Sequence, residues 1–173
     1  CDAVAGSEGL IANNMISVAG TASSYGIYDN YTNNQNFYYN SVNVSANAAT
    51  TRALYITGST TTTINNHFVN NILAYTGANT GGMAVYVSTI QMVGTMNYND
   101  LFSTGTNLGY WSANRLTLAA WQAASAKDAN SVSVNPIFFS ATNLHTSSPL
   151  LFAKGTPLAA VTNDIDNDVR AAT

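Results

Sequence analysis

Asp164, Asp166 and Asp168 alternate near the end of the chain. Alternating carboxylates can converge on a hard cation such as calcium where the backbone turns around it. The stretch lacks the glycine and the bidentate glutamate that a twelve-residue calcium loop uses. Its other use is a terminal cap, in which a carboxylate pairs with Arg170 or accepts backbone amides. Arg52 is the only base in the first 114 residues, and Asp29 precedes it by 23. Such a pair could neutralise a uronate and remove its proton, or stand as a surface ion pair. Glycoside hydrolysis needs two carboxylates about 5 to 9.5 Å apart. After Glu8 the repeat region offers only Asp29 and Asp100. His67 and His145 lack a partner His, Cys or acid cluster, so both are expected to be structural hydrogen-bonding residues. No residue is assigned a catalytic role. Tyr28, Tyr55 and Tyr86, three of ten tyrosines, share one repeat position. A ladder of such rings can stack on sugars, with nearby Asn and Thr supplying hydrogen bonds, or can serve as a structural aromatic stack.

The elements that would position these side chains repeat. Asn13-Asn14-Met15-Ile16, Tyr39-Asn40-Ser41-Val42, Asn70-Asn71-Ile72-Leu73 and Asn99-Asp100-Leu101-Phe102 align, with Asn14, Asn40, Asn71 and Asp100 as anchors 26, 31 and 29 residues apart. A second series lies between them: Gly26-Ile27-Tyr28, Ala53-Leu54-Tyr55, Ala84-Val85-Tyr86 and Leu108-Gly109-Tyr110. Apolar residues alternate within the segments, which is strand periodicity. Two strand signals per period point to a coiled solenoid with short strands on every turn. Coils stacked about 4.8 Å apart bring like residues together, so the anchors are expected to form a structural ladder of self-satisfying carboxamides. Loops are expected at 19–24, 45–51, 58–63 and 77–82, where length can vary without disturbing the stack. Only 117–125 has helical spacing, with Thr117 as N-cap and Trp121 inward. The expected organisation is β-helix coils over 1–140 and a closing segment of turns over 141–173. An open first coil would expose strand edges and apolar core.

Composition narrows the function classes. The chain has 173 residues, 46% hydrophobic and 8% charged, with a net charge of −3. Charged residues make up about a quarter of an ordinary domain; Asn, Thr, Ser, Ala and Tyr fill the polar surface here, as suits an extracellular protein. The five bases are scattered and form no basic stripe, so nucleic acid is not an expected partner. Apolar runs are too short for membrane insertion. Cys1, the only cysteine, admits no intramolecular disulfide and reads as a fragment boundary or a lipidation site.

Trp121-Gln122, Asp128-Ala129-Asn130-Ser131, Asn135-Pro136-Ile137-Phe138, Ser147-Ser148-Pro149 and Asp164-Ile165-Asp166-Asn167-Asp168-Val169-Arg170 follow in order. This resembles the C-terminal part of right-handed parallel β-helix repeat proteins, as in large secreted surface proteins of Bacteroidetes-type bacteria. The closing acidic motif departs from the pattern, with Asn167 or Asp168 where that family has Gly. The resemblance implies an all-β right-handed parallel β-helix with one short lateral helix and an irregular C-terminal cap, exported to the cell surface or secreted. The leading expectation is a non-catalytic stalk or adhesin-like module, with a polysaccharide and the neighbouring coils of a larger chain as partners. No cofactor is expected apart from calcium at the aspartates. One alternative is a fragment of a polysaccharide lyase or glycoside hydrolase whose active coils lie upstream. Another is secretion-system cargo recognised through a downstream domain.

Overall fold

The computed structural model describes residues 2–58 and 65–171. Cys1 and all but the first residue of the loop expected at 58–63 lie outside the described residues. Strands come in four successive triplets. These are β1 (Gly9–Ala12), β2 (Met15–Val18) and β3 (Tyr25–Asn30); β4 (Gln35–Tyr38), β5 (Ser41–Val44) and β6 (Arg52–Thr57); β7 (Asn66–Val69), β8 (Ile72–Tyr75) and β9 (Met83–Val87); β10 (Val93–Asn97), β11 (Asp100–Ser103) and β12 (Gly109–Trp111). Each triplet contributes one strand to each of three sheets, ordered β1-β4-β7-β10, β2-β5-β8-β11 and β3-β6-β9-β12. All pairings among these strands are parallel. The chain is thus a parallel β-solenoid of about three turns. The first sheet has no counterpart in the two strand series read from the sequence.

Parallel stacking in register turns each inward position into a column. Ile11, Phe37, Phe68 and Met96 align on the first sheet, Ile16, Val42, Leu73 and Leu101 on the second, and Ile27, Leu54 and Val85 on the third. Phe37 and Phe68 stack with centroids 4.7 Å apart. These columns form one apolar core; no side chain has to fit a unique neighbour, only its own kind on the next coil.

The corner between the first and second sheets takes two residues. The first of each pair, Asn13, Tyr39, Asn70 and Tyr98, has φ between 54° and 61°, a left-handed conformation that Asn enters at little cost and Tyr more rarely. The second is an asparagine in every coil. The backbone N–H and Nδ2 of Asn14 both donate to Oδ1 of Asn40 (3.2 and 2.8 Å). Asn40 does the same to Asn71 (3.1 and 3.0 Å). Asn71 does so to Asn99, not to Asp100 (2.9 and 3.1 Å). The expected anchor Asp100 is therefore corrected to its neighbour: Asp100 lies in β11, paired with Ile72. The remaining Nδ2 protons of Asn40, Asn71 and Asn99 go to the carbonyls of Ile11, Phe37 and Phe68. The carboxamides of Asn40, Asn71 and Asn99 are each saturated, which permits their burial. Asn71→Ala would leave the Asn40 amide, the Asn99 carboxamide oxygen and the Phe37 carbonyl short of a partner. Its expected cost is about 2 to 3 kcal/mol, measurable by denaturant unfolding; a midpoint equal to wild type would show that the ladder adds nothing.

The far end of the stack is closed on all three sheets. A two-residue strand, β13 (Asn114–Arg115), turns back antiparallel on β12. Val132 bridges to Asp100 on the second sheet, and the Asp128 amide donates to the Met96 carbonyl of the first. Between these contacts runs α1 (Leu118–Ser125), capped by Thr117, whose side chain accepts from the Ala120 amide. Trp121 is fully buried and meets Trp111 edge-on, 5.5 Å between centroids. Among the described residues no strand pairs with the outer edges of β1, β2 and β3.

The closing segment returns toward the first coil along the asparagine corner. Thr156 accepts from Tyr39 Oη and Asn70 Nδ2, each at 2.7 Å. The Asn163 carbonyl accepts from Asn13 Nδ2 (2.8 Å). Arg170 donates to Asn13 Oδ1 and lies 3.8 Å over the Tyr39 ring. The segment thus holds the left-handed residues of three coils. Asn167 itself has φ 69°, which explains why a glycine-like residue is called for there.

Candidate functional site

Tyr28, Tyr55, Tyr86 and Tyr110 stand in direct register on the third sheet. Strand alternation turns Leu54, Ile56, Val85 and Val87 into the core and leaves Tyr55 and Tyr86 on the outer face. Centroid separations along the column are 5.3, 5.2 and 4.4 Å. The rings do not repeat one geometry: Tyr28 and Tyr55 are tilted, Tyr55 and Tyr86 edge-on, Tyr86 and Tyr110 stacked. Part of each ring is spent on its neighbour, so the column is both a structural stack and an aromatic strip facing solvent. Tyr28, 51% exposed, is its most open ring.

Tyr25 joins the strip beside Tyr28 and Tyr55, at 5.4 and 5.0 Å. Arg52 occupies the position in register with Tyr25 on the next coil. It is only 7% exposed, and its guanidinium lies 5.1 Å from the centre of the Tyr86 ring. Nη1 donates to the carbonyls of Ala49, Thr51 and Gly81 (3.0, 2.6 and 3.0 Å), tying the loops of adjacent coils together. Burial pushes the guanidinium below its usual range, while the surrounding tyrosines oppose that shift. Tyr25, Thr50, Arg52, Tyr55 and Tyr86 line a solvent-open pocket of about 140 Å³.

The other candidate residues are not brought together. Asp29 does not meet Arg52. It is buried at an inward position opposite Ile56, where its carboxylate accepts from Thr32 Oγ1 (2.5 Å) and Asn66 Nδ2 (2.9 Å). Burial raises its pKa, and these hydrogen bonds partly oppose the rise. Asp29 belongs to the first triplet on the third sheet and Asp100 to the fourth on the second. Three coil spacings alone place them about 14 Å apart, beyond the separation of a glycosidase pair.

The three closing aspartates also diverge. Asp164 Oδ1 accepts from the amides of Asp166 and Asp168 (3.0 and 2.9 Å), closing its own turn. Asp166 pairs with His145 Nε2 at 2.6 Å. Among the described residues no group of three His, Cys, Asp or Glu side chains is placed to hold a metal ion. His67 is half-buried in β7, where desolvation lowers its pKa.

Tyr25 and Arg52 are the members of the strip that sequence reasoning missed as a unit. Tyr25 precedes Tyr28 by three residues and Arg52 precedes Tyr55 by three, so the shared offset was the available signal. Comparison of the chain with protein-family models, curated proteins and solved structures finds no match.

Proposed function

We propose that this chain is a non-catalytic module of a secreted or cell-surface protein, stalk-like or adhesin-like, that binds a polysaccharide along its tyrosine strip. Its neighbours would be further coils or domains of a larger chain, in the manner of the right-handed β-helix repeats of bacterial surface proteins that its closing motifs resemble. The observation that carries the reading is the strip itself: Tyr25, Tyr28, Tyr55, Tyr86 and Tyr110 gathered on one outer face, two rings from the first coil and one from each of the next three. An aromatic face beside hydroxyl and carboxamide groups suits a sugar, whose C–H faces stack and whose hydroxyls hydrogen-bond. A rigid, repetitive scaffold suits an extended polymer better than a compact ligand.

The test is to incubate the purified chain with plant, algal and animal polysaccharides, with and without calcium, and to follow both binding and polymer size. At least one polymer is expected to bind and none to be shortened. Tyr28→Ala, at an exposed position, is expected to weaken binding by about fivefold, in line with loss of a stacking contact worth about 1 kcal/mol, while leaving the fold intact. Shortened products would overturn the non-catalytic reading. A chain that binds nothing in the panel would overturn the polysaccharide reading.

A further inference from the structure

Arg52 is a cation in an uncommon place. The only ion pair among the described residues joins His145 and Asp166, so no carboxylate neutralises the Arg52 guanidinium. Its charge is held by three backbone carbonyls and the Tyr86 ring, all of them neutral groups. All three carbonyl bonds use Nη1; among the described residues Nε and Nη2 have no hydrogen-bond partner. Neither atom is a sealed, unsatisfied donor, so that edge remains within reach of the solvent-open pocket that Arg52 lines. The Nε–Nη2 edge of a guanidinium is a planar fork that fits the two oxygens of an oxyanion. With Nη1 anchored to two loops, the fork is pre-oriented, and little side-chain entropy is left to lose when an anion arrives. Tyr25, Tyr55 and Tyr86 wall the pocket, so its anion would be attached to something with an apolar face.

We infer that the Arg52 pocket is an oxyanion subsite within the tyrosine strip, and that the polysaccharide bound there is acidic. One charged group, a uronate carboxylate or a sulfate ester, sits on the Nε–Nη2 fork, and the sugar ring carrying it packs against Tyr25 and Tyr55. This rests on the strip binding a glycan at all and specifies which class of glycan. A neutral polymer would leave the buried cation with its present partners only. An acidic one supplies the missing counter-charge in a partly desolvated site, where a charge-assisted pair is strongest.

The test uses the intact chain and two matched polymer pairs, polygalacturonate against its fully methyl-esterified form and a sulfated galactan against its desulfated form. Each pair keeps the backbone and removes the charge. Tenfold or greater preference for the charged member is expected in at least one pair, and which pair shows it separates carboxylate from sulfate. Arg52→Lys, which keeps the charge but loses the fork, is expected to lose most of that preference. Because Arg52 also ties two loops, the Nε–H resonance of Arg52 in the wild-type chain is followed in parallel, and it should move on adding the preferred polymer. Equal binding of charged and uncharged members would overturn the inference and leave the glycan-binding strip standing. An unmoved Nε–H resonance at saturation, or a preference retained by a folded Arg52→Lys chain, would place the anion site elsewhere and also overturn it. Absence of binding to every polymer would remove the underlying reading instead.

Discussion

Asp128→Ala is expected to lower the melting temperature by roughly 10 °C, from a loss of about 3 to 5 kcal/mol. The carboxylate is 1% exposed and ends the asparagine row. Oδ1 accepts from Asn99 Nδ2 (3.0 Å) and Ser131 Oγ (2.5 Å), and Oδ2 from Trp121 Nε1 (2.8 Å). The Asp128 carbonyl also accepts from Gln122 Nε2 (2.7 Å). A row of carboxamides that all point one way needs an acceptor at its last donor, and a carboxylate can receive the ladder and the tryptophan at once. Alanine strands the Asn99 and Trp121 donors in the core. Ser131 can rotate to another acceptor and Asn99 cannot. Burial raises the Asp128 pKa even against these bonds. Asp128→Asn should fall between the two chains, because one of its two positions becomes a donor facing a donor. Thermal unfolding followed by circular dichroism, with tryptophan emission as a local probe of Trp121, provides the check. A melting temperature within 2 °C of wild type for Asp128→Ala would mean that water or a shifted side chain replaces the carboxylate, and that the cap is not a source of stability.

The second large effect is a dependence on pH centred on Asp100. This side chain is 3% exposed; Oδ1 accepts from the Val134 amide (3.0 Å), and Oδ2 has no partner. It lines a cavity of about 240 Å³ beneath the closing segment. Burial of the charge, only partly offset by the Val134 amide, pushes its pKa up to about 7. An unfolded aspartate titrates near 3.9, so between these values the folded chain binds the extra proton. Stability from this group is therefore fully present below pH 4 and is lost as the pH rises through 7. Three pH units correspond to at most about 4 kcal/mol, and relaxation around Oδ2 reduces that figure. Asp29 and Asp128 shift in the same direction, so the wild-type profile sums several groups. Asp100→Asn isolates one of them. The stability of Asp100→Asn relative to wild type should be constant below pH 4, rise between pH 4 and 7, and level off above pH 8. A difference that stays flat from pH 4 to 8 would show that Asp100 is solvated or paired in solution.

The closing motifs acquire a physical meaning in the same region. Trp121-Gln122 and Asp128-x-x-Ser131 are read from the sequence as an ordered resemblance. In space they are one hydrogen-bonded cap: the indole and the serine bind the aspartate side chain, and the glutamine binds its carbonyl. The misplaced fourth anchor shows what the one-dimensional pattern lacked. Asp100 imitates an asparagine in size and polarity and sits beside Asn99. The distinguishing signal was the apolar residue three before each ladder asparagine: Ile11, Phe37, Phe68 and Met96 precede Asn14, Asn40, Asn71 and Asn99. These residues belong to the first sheet, whose four- and five-residue strands merge into the anchors that follow and so did not stand out as a separate series.

What the sequence determined by itself was the solenoid, because a stack of coils writes its neighbours into one dimension. Residues about one period apart touch, so Tyr28, Tyr55 and Tyr86 align in the chain as they align in space. What only the tertiary structure decided depends on contacts that do not repeat. The Arg52 pocket joins one strand position to the loops of two successive coils, and the closing segment meets the corner of coils more than 80 residues away, as Thr156 does at Asn70. The burial of Asp29 and Asp100 is likewise invisible in composition, since a charged residue reads as surface until the fold places it inside. Periodic contacts are local in register and therefore legible; single contacts between distant segments, and the desolvation they impose, exist only once the chain has folded.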